Sequence, residues 1–282
     1  MFDCRLTAIE CQLLEFPFLA IQATIMRVIT LNVNGIRSAA KKGALSWLSK
    51  QNADVICLQE VRSHVHQLID PIFQPEGYET YYCVAEKPGY SGVALYTRIK
   101  PDRILKSLGW DHADKEGRYL QADFGNLSIA SIYFPSGTSG EARQAVKFDF
   151  MERFDKHLQQ QKKDGRSYIL CGDWNIAHKI IDLKNWRANQ KSSGFLPEER
   201  AWLDRVFDTL GFVDAFRVLN QNPDEYTWWS HRGRARQNNV GWRIDYQIVT
   251  PDLVSAIQKV SIYRDEFFSD HAPLIVDYVI KQ

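Results

Sequence analysis

The sequence is poor in cysteine, and its cysteines are not arranged to bind zinc. The 282 residues include five cysteines, and no two of them form a Cys-x-x-Cys pair. Cys57 and Cys171 fall inside apolar runs, which indicates reduced side chains in a protein core. We therefore expect a protein of the cytoplasm that has neither a disulfide framework nor a zinc site built from cysteines.

The sequence also lacks a long hydrophobic run and an excess of charge of either sign. No apolar stretch approaches the roughly 20 residues that span a bilayer, so we expect no membrane segment. Lysine and arginine together number 35 against 34 acidic residues, a formal net charge of +1. Any attraction to nucleic acid must therefore come from local basic segments. Apolar residues make up 45% of the chain, enough for one large domain or two small ones.

Residues 1–25 differ in their pattern of charged and apolar residues from the rest of the chain. Four charged residues are scattered among apolar ones, and the segment lacks the basic start and uninterrupted apolar centre of a signal peptide. Met26 stands just before the first convincing strand. We predict an N-terminal extension of unknown role over residues 1–25 and a single domain over residues 26–282. A further docked helix or strand is the alternative for the extension.

Hydrophobic patterning predicts an α/β protein. Short, mostly β-branched runs that are typical of buried strands cover residues 28–33, 54–59, 129–132, 168–172 and 274–279. Apolar residues at helical spacing predict amphipathic helices over residues 41–50, 140–161 and 197–210. In the segment 79–132, short apolar runs are separated by turn residues, a pattern typical of β-hairpins. Together these patterns favour two sheets packed face to face with helices outside.

Polar residues stand at the ends of the predicted strands. They are Asn32, Glu60, Tyr133, Asp173, Asn175, Asp270 and His271. If the strands lie side by side, these side chains collect at one rim. Carboxylate and amide oxygens are the ligands that Mg²⁺ and Mn²⁺ prefer. The pattern therefore predicts a divalent-metal phosphoesterase site.

Each of these residues also has a plainer explanation. Glu60 could be a strand-end charge that reaches solvent. Asp173 and Asn175 could form an Asx-type turn, and Asp270 with His271 could cap a turn. Only their convergence on one rim favours the catalytic interpretation.

One histidine is a candidate site residue, and four others are expected to be solvated. Asp245 lies inside an apolar strand and needs a partner, because a lone buried carboxylate is costly. His271 is a natural partner, since a carboxylate fixes the tautomer of an imidazole and favours its charged form. Four other histidines lie in polar stretches and are expected to be solvated: His64, His66, His112 and His157.

Two segments are basic and contain no acidic residue. Residues 231–243 and 184–191 carry Arg232, Arg234, Arg236, Arg243, Lys184, Arg187 and Lys191, with Trp186 among them. Basic residues interleaved with Trp and Asn suit a phosphate backbone. Solvated charged loops are the alternative.

Seven motifs in register resemble the exonuclease III family of DNA-repair nucleases. They are Leu-Asn-Val-Asn-Gly-Ile-Arg (31–37), Leu-Gln-Glu (58–60), Tyr-Phe-Pro (133–135), Gly-Asp-Trp-Asn-Ile (172–176), Gly-Phe-Leu-Pro-Glu-Glu-Arg (194–200), Gly-Trp-Arg-Ile-Asp-Tyr (241–246) and Ser-Asp-His-Ala-Pro-Leu (269–274). The resemblance runs from about residue 26 to residue 278. It implies a four-layer α/β/β/α sandwich of two packed mixed sheets flanked by helices. It also implies Mg²⁺-dependent hydrolysis of DNA phosphodiesters, with Mn²⁺ as a substitute.

The resemblance further implies activities and partners. The expected activities are incision at abasic sites, removal of 3′-blocking groups and 3′→5′ exonuclease action. The expected partner is duplex DNA with an abasic site, a nick or a recessed 3′ end, bound by a monomer in base excision repair.

Roles follow for individual residues from the same resemblance. The implied metal shell consists of Asn32, Glu60, Asp173, Asn175, Asp270 and His271, with Glu60 the main ligand. The implied catalytic residues are Tyr133, Asp173, Asn175, Asp245 and His271. The implied substrate contacts are Arg118, Asn189, Ser192, Trp228, Trp242 and Ile244, where the two tryptophans and Ile244 match a pocket for an extrahelical abasic sugar.

The sequence departs from the family in the loop before Phe195. Ala188, Asn189 and Ser192 stand where the family usually has a Gly-Asn pair and a further Asn, and Ser230 replaces an Asp of some members. These departures bear on the balance between abasic-site incision and 3′-end trimming. Two other classes remain open: a phosphatase of inositol phosphates or lipid head groups, and a non-catalytic DNA-binding relative.

Overall fold

The computed structural model describes residues 23–281. The strands are β1 Ala23–Asn32, β2 Val55–Gln59, β3 Glu79–Cys83, β4 Val93–Thr97, β5 Arg103–Leu105, β6 Tyr119–Phe124, β7 Leu127–Tyr133, β8 Ser167–Asp173, β9 Val213–Asp214, β10 Trp228–Trp229, β11 Gly241–Trp242, β12 Asp245–Val249, β13 Ile257–Ile262 and β14 Leu274–Lys281. The α-helices are α1 Ile36–Lys41, α2 Ala44–Ser49, α3 Asp111–Lys115, α4 Glu141–Lys163, α5 Pro197–Asp204 and α6 Ala215–Leu219.

The strands form two six-stranded mixed sheets. The first has the order β13-β14-β1-β2-β4-β3 and the second β5-β6-β7-β8-β12-β9. Each sheet has a parallel pair at its centre, β1 with β2 and β7 with β8, and antiparallel neighbours on either side. A separate two-stranded ribbon joins β10 to β11. The predicted fold class, two mixed sheets flanked by helices, is confirmed.

The layers follow from the alternation of side chains along the strands. On β1, Val28 packs into the core between the sheets, whereas Ile29 and Leu31 pack against the outer helices α1 and α2. This is the expected result of a period of two residues in a strand that is buried on both faces. On the other outer side, α4 packs Phe150 and Phe154 against the second sheet.

All three predicted helices are present, one of them shorter than expected. The helices predicted over residues 140–161 and 197–210 correspond to α4 and to α5 with the π-helical turn Arg205–Thr209 that continues it. The helix predicted over residues 41–50 corresponds to α2, and α1, which precedes it, was not predicted. Gly43 between α1 and α2 has a φ of 89°, a left-handed conformation that separates the two helices.

The predicted N-terminal extension lies mostly outside the described residues. Residues 23–25 are part of β1 and pair with the last residues of β14. The boundary at residue 26 and the extension as a unit therefore stay predictions. Within residues 23–281, no helix is both long and apolar enough to cross a membrane.

His157 is not solvated, and that expectation was wrong. Its ring packs edge-on against Trp110 and Tyr119 and tilts against Phe154. Burial lowers the pKa of His157 to about 4, because the charged imidazolium is disfavoured away from water. Most of its near neighbours in the sequence are polar, but α4 turns this position towards Trp110 and β6.

Candidate functional site

The ends of the central strands meet at one rim. Within each sheet the parallel strands end on the same side, β1 with β2 and β7 with β8, and a hydrogen bond from Asn32 at the end of β1 to Asp173 at the end of β8 brings the two sides together. The antiparallel strands β12 and β14 begin at that rim. A cavity of about 580 Å³ opens there. Of the predicted site residues, it is lined by Glu60, Tyr133, Asp173, Asn175, Ser192, Trp228, Trp242, Ile244, Asp270 and His271.

Three of these residues form a compact cluster of potential ligands. One ligand atom each from Glu60, Asp173 and His271 lies within 4.8 Å of the other two, and all three side chains are buried. Asn32 sits beneath the two carboxylates. Its amide nitrogen donates to Glu60 Oε1 and to Asp173 Oδ2, both at 2.8 Å. Asn32 therefore joins the end of the first sheet to the end of the second.

Asp173 is held by hydrogen bonds on both oxygens. Its Oδ1 accepts from the backbone N–H of Asn175 at 2.8 Å, and its Oδ2 accepts from Asn32. Burial raises the pKa of Asp173, and the charges of Asp245 and Glu60 raise it further, while His271 and the Asn32 hydrogen bond oppose the shift. A carboxylate whose pKa lies above its ordinary value is a stronger proton acceptor than an exposed one.

His271 pairs with Asp245 as expected from the sequence. Its Nδ1 lies 2.9 Å from Asp245 Oδ2, and its Nε2 lies 3.9 Å from Asp173 Oδ2. Burial alone would lower the pKa of His271, but the carboxylate of Asp245 and then that of Asp173 raise it above its ordinary value. The geometry therefore favours a charged imidazolium whose Nε2 faces the cluster.

Asp270 lines the same cavity as Glu60 but stands apart from the three-residue cluster. Its Oδ1 accepts from the side-chain amide of Asn34 at 2.8 Å, and its Oδ2 accepts from the Trp228 indole at 3.1 Å. Burial opposes ionisation, yet the charge of His271 and these hydrogen bonds lower the pKa of Asp270 below its ordinary value. Asp270 is therefore an ionised carboxylate at the mouth of the site.

Tyr133 ends β7 at the wall of the cavity, with Arg118 behind it. The Arg118 guanidinium lies 4.8 Å from the centre of the Tyr133 ring and donates to the Tyr133 carbonyl at 2.9 Å. Arg118 also pairs with Glu116 and is only 1% exposed. Burial and then the charge of Glu60 raise the pKa of the Tyr133 phenol well above its ordinary value, so the phenol stays protonated and can donate a hydrogen bond.

One wall of the cavity is aromatic. Trp228 and Trp242 pair across the ribbon of β10 and β11, with ring centres 6.3 Å apart and planes at 82°. Ile244 packs beside them. Ser192 lines the same cavity and donates to the side-chain oxygen of Asn189 at 3.1 Å. Asn189 itself bonds within its own loop and does not line the cavity.

The two basic segments differ from the expectation in one residue. Arg243 is 1% exposed and pairs with Asp182 and Asp214, so its assignment to a surface that binds phosphates was wrong. The acidic partners lie far away in the sequence and could not be seen in the segment itself. Arg232 and Arg234 are exposed, as that surface requires.

Asn34 and Arg62 also line the cavity, although neither is among the site residues that the sequence predicts. Both have left-handed backbone conformations, with φ of 44° and 50°, as do Glu60 and Asn175 with φ of 52° and 53°. Such conformations are costly for residues other than glycine and concentrate at functional sites. The Asn-Gly pair was the one local signal, and Arg62 forms an ion pair with Glu60.

Comparisons with known proteins agree with this geometry. Residues 29–271 match the model of the Endonuclease/Exonuclease/phosphatase family. The chain is 39% identical to an exodeoxyribonuclease of Bacillus subtilis over 253 residues, which is 88% of this chain and 98% of that protein. It is 35% identical to the DNA repair nuclease APEX1 of Danio rerio, over 90% of this chain and 82% of that protein.

A solved structure shares the fold. The AP endonuclease of Archaeoglobus fulgidus superposes with a TM-score of 0.81 at 24% identity, covering 90% of this chain and all of that one. At this identity the likeness shows the fold alone. The chain belongs to the Endonuclease/Exonuclease/phosphatase family, and the resemblance inferred from its motifs is confirmed.

Proposed function

We propose that this protein is a metal-dependent DNA-repair nuclease that hydrolyses phosphodiesters in duplex DNA. The relatives carry the names exodeoxyribonuclease and DNA repair nuclease, in agreement with the predicted enzyme class. The proposal rests on two groups of side chains that line one cavity. The buried cluster of Glu60, Asp173 and His271 lies in the same cavity as the aromatic wall of Trp228 and Trp242.

The donor set suits a hard divalent cation, and we propose Mg²⁺ with Mn²⁺ as a substitute. Carboxylate oxygens of Glu60 and Asp173 face each other across a short gap, and oxygen ligands are preferred by these ions. A bound cation would neutralise charge on a phosphate oxygen and on the leaving oxygen. Glu60 is the proposed main ligand, and Asp270 would complete the shell through water at the mouth of the cavity.

The other predicted ligands suit different tasks. His271 is held charged by Asp245, and a metal ligand must be the neutral imidazole, so we assign His271 to charge stabilisation rather than to the metal. Asn32 donates its amide hydrogens to both carboxylates. Its role in this proposal is to hold Glu60 and Asp173 at a fixed separation.

The chain's own residues account for the remaining steps. Asp173, with its raised pKa, would orient a water molecule against the phosphorus and accept its proton. His271 Nε2 and the Tyr133 phenol would donate hydrogen bonds to phosphate oxygens, where negative charge grows in the transition state. Asn175 follows Asp173 by two residues and would hold the same phosphate through its side chain.

The aromatic wall suggests what is bound beside the scissile phosphate. Trp228, Trp242 and Ile244 form an apolar surface next to charged groups, which suits a sugar that has lost its base. An inositol phosphate carries further anionic groups that such a wall would not solvate. This contrast favours DNA with an abasic site, a nick or a recessed 3′ end over the phosphatase alternative.

Two further parts of the proposal concern the setting in which the protein works. The buried free thiols of Cys57, Cys83 and Cys171 are typical of a reducing compartment, and we propose the cytoplasm. The cluster is complete within one chain, which supports action as a monomer.

One experiment tests the function directly. The protein is incubated with Mg²⁺ and three labelled duplexes that carry an internal abasic site, a 3′-phosphate at a nick or an unmodified recessed 3′ end. We expect cleavage of at least the abasic and 3′-end substrates. Release of phosphate from an inositol phosphate without cleavage of any duplex would overturn the proposal in favour of the phosphatase class.

A further inference from the structure

A fully buried ion pair connects the two helices behind the cavity. Lys147 on α4 and Glu199 on α5 are both 0% exposed, and Lys147 Nζ lies 2.6 Å from Glu199 Oε1. Gln144 adds a hydrogen bond to the same oxygen at 3.1 Å. Removing two charges from water is costly, and apolar side chains of similar size often stabilise a core as well or better. Stability alone therefore does not account for this pair.

Lys147 also reaches the turn that carries Asn175. Its Nζ donates to the Asn175 backbone carbonyl at 2.7 Å. Asn175 has a φ of 53°, a conformation that the surrounding structure must hold in place. The side chain of Asn175 contacts Asp173 Oδ2 and the Phe134 carbonyl at 3.3 and 3.0 Å. Lys147 thus supports, from behind, the turn that orients a cavity-lining side chain.

Glu199 holds the loop of residues 192–196, part of which lines the same cavity. Its Oε2 accepts from the backbone N–H groups of Gly194 and Leu196 at 2.6 and 3.0 Å. The Gly194 carbonyl accepts in turn from Ala177 N–H at 2.8 Å. A Cβ at Gly194 would lie 3.0 Å from the Asn175 carbonyl oxygen, so the two loops are in close contact and share the charges of one ion pair.

We propose that Lys147 and Glu199 are positioning residues for the nuclease reaction. Through the Asn175 carbonyl and the Gly194 amide, the ion pair sets the distance between the phosphate-holding turn and the loop of residues 192–194. Neither residue touches the substrate. The inference rests on the proposed function, because the turn is argued to hold the scissile phosphate.

The test compares Lys147→Met, the double variant Lys147→Met/Glu199→Met and the control Met151→Ala. The double variant removes both charges together, so no unpaired ion remains to prevent folding. Met151 lies one helical turn further along α4, is 3% exposed and packs in the core away from the cavity. Steady-state kinetics on an abasic duplex are measured well below the melting temperature of each variant.

We expect the double variant to lose at least about 10-fold in kcat with KM within about twofold, a loss that Met151→Ala does not share. In an Asn175→Ala background, the same double substitution should change kcat less than twofold, because the side chain that the turn orients is already gone. A loss of the same size in both backgrounds, or a loss equal to that of Met151→Ala, would overturn the inference.

A readout that does not depend on activity separates this inference from the proposed function. Hydrogen exchange of the backbone amides at residues 174–177 and 192–196 should rise at least 10-fold in the double variant, and the control should leave these amides protected. Unchanged exchange there contradicts the inference even when the wild-type protein cleaves DNA. If the wild-type protein cleaves no duplex but the exchange rises as expected, the proposed function fails and the positioning role of the pair stands.

Discussion

Asp245 on β12 lies directly opposite Asp173 on β8 in antiparallel register. Like charges at opposed positions repel, and here the imidazole of His271 lies between them, 2.9 Å from Asp245 and 3.9 Å from Asp173. A charged His271 therefore balances the two carboxylates. Loss of the Asp245 carboxylate is therefore expected to lower the pKa of both His271 and Asp173, because its charge raises both.

Asp173 is expected to be indispensable for turnover. Asp173→Asn removes the proton acceptor while keeping the size of the side chain, and we expect kcat on an abasic duplex to fall by at least about 100-fold, the size associated with general acid–base groups. Circular dichroism should show retained folding. Asp155→Asn is the control, because Asp155 pairs with Arg205 on the far helices. An unchanged kcat in Asp173→Asn removes this residue from the mechanism.

Removal of divalent cations is expected to abolish activity. The carboxylates of Glu60 and Asp173 lie close together, and two anionic groups repel a phosphate unless a cation offsets their charge. Excess EDTA should stop cleavage, and Mg²⁺ or Mn²⁺ should restore it. Glu60→Gln should raise the Mg²⁺ concentration needed for half-maximal rate at least about 10-fold. Full activity in EDTA would refute the metal-dependent mechanism.

Ser192 is expected to influence which DNA end is processed. It lines the cavity together with the aromatic wall and bonds to Asn189, so Ser192→Asn brings a longer amide into the cavity. We expect the ratio of abasic-site incision to 3′-end digestion to change at least about threefold, with measured rates on both duplexes. Gln190→Asn, in the same loop but exposed, should leave the ratio unchanged. If Ser192→Asn leaves the ratio as it was, this loop does not select the substrate.

His157 is expected to make stability fall with acid. The pKa of His157 is about 4 in the folded protein against 6.5 ordinarily, so the unfolded chain binds the proton more readily. The contribution of neutral His157 to the free energy of unfolding is therefore complete above pH 6.5 and is lost as the pH falls from 6.5 through 4. The loss is a few kcal/mol at most, since each pH unit is worth about 1.4 kcal/mol.

The measurement is urea unfolding between pH 7.5 and pH 4 for His157→Gln and for His66→Gln, an exposed histidine. The first variant should flatten the loss of stability over this range, and the second should follow the wild-type protein. Parallel curves for the wild-type protein and His157→Gln would mean that other groups cause the acid sensitivity.

The fold and the composition of the site were largely predictable because both are encoded locally. Runs of β-branched residues marked the central strands, and the polar residue at the end of each strand pointed to the shared rim. The parallel pairing of β1 with β2 and of β7 with β8 then brings these ends together. The family motifs supplied the roles that local patterns could not.

What could not be predicted depends on partners that are distant in the chain. Arg243 lies in a basic segment, but it is buried and forms an ion pair with Asp182, which is 61 residues away. His157 has mostly polar neighbours in the sequence, yet its ring packs against Trp110, which precedes α3, and against Tyr119 of β6. The left-handed conformations of Glu60 and Arg62 have no sequence signature, since neither is a residue that favours such turns.

Glu60 follows a strand of the first sheet and Asp173 ends a strand of the second, so a cation that both residues held would lie where the two sheets meet. The side chains of Gln59 and Ser131 hydrogen-bond between the two sheets at 2.9 Å. The separation of Glu60 and Asp173 therefore depends on how the two sheets pack together. A conservative substitution between the two sheets, far from any DNA, can therefore change the rate of catalysis by shifting one sheet relative to the other.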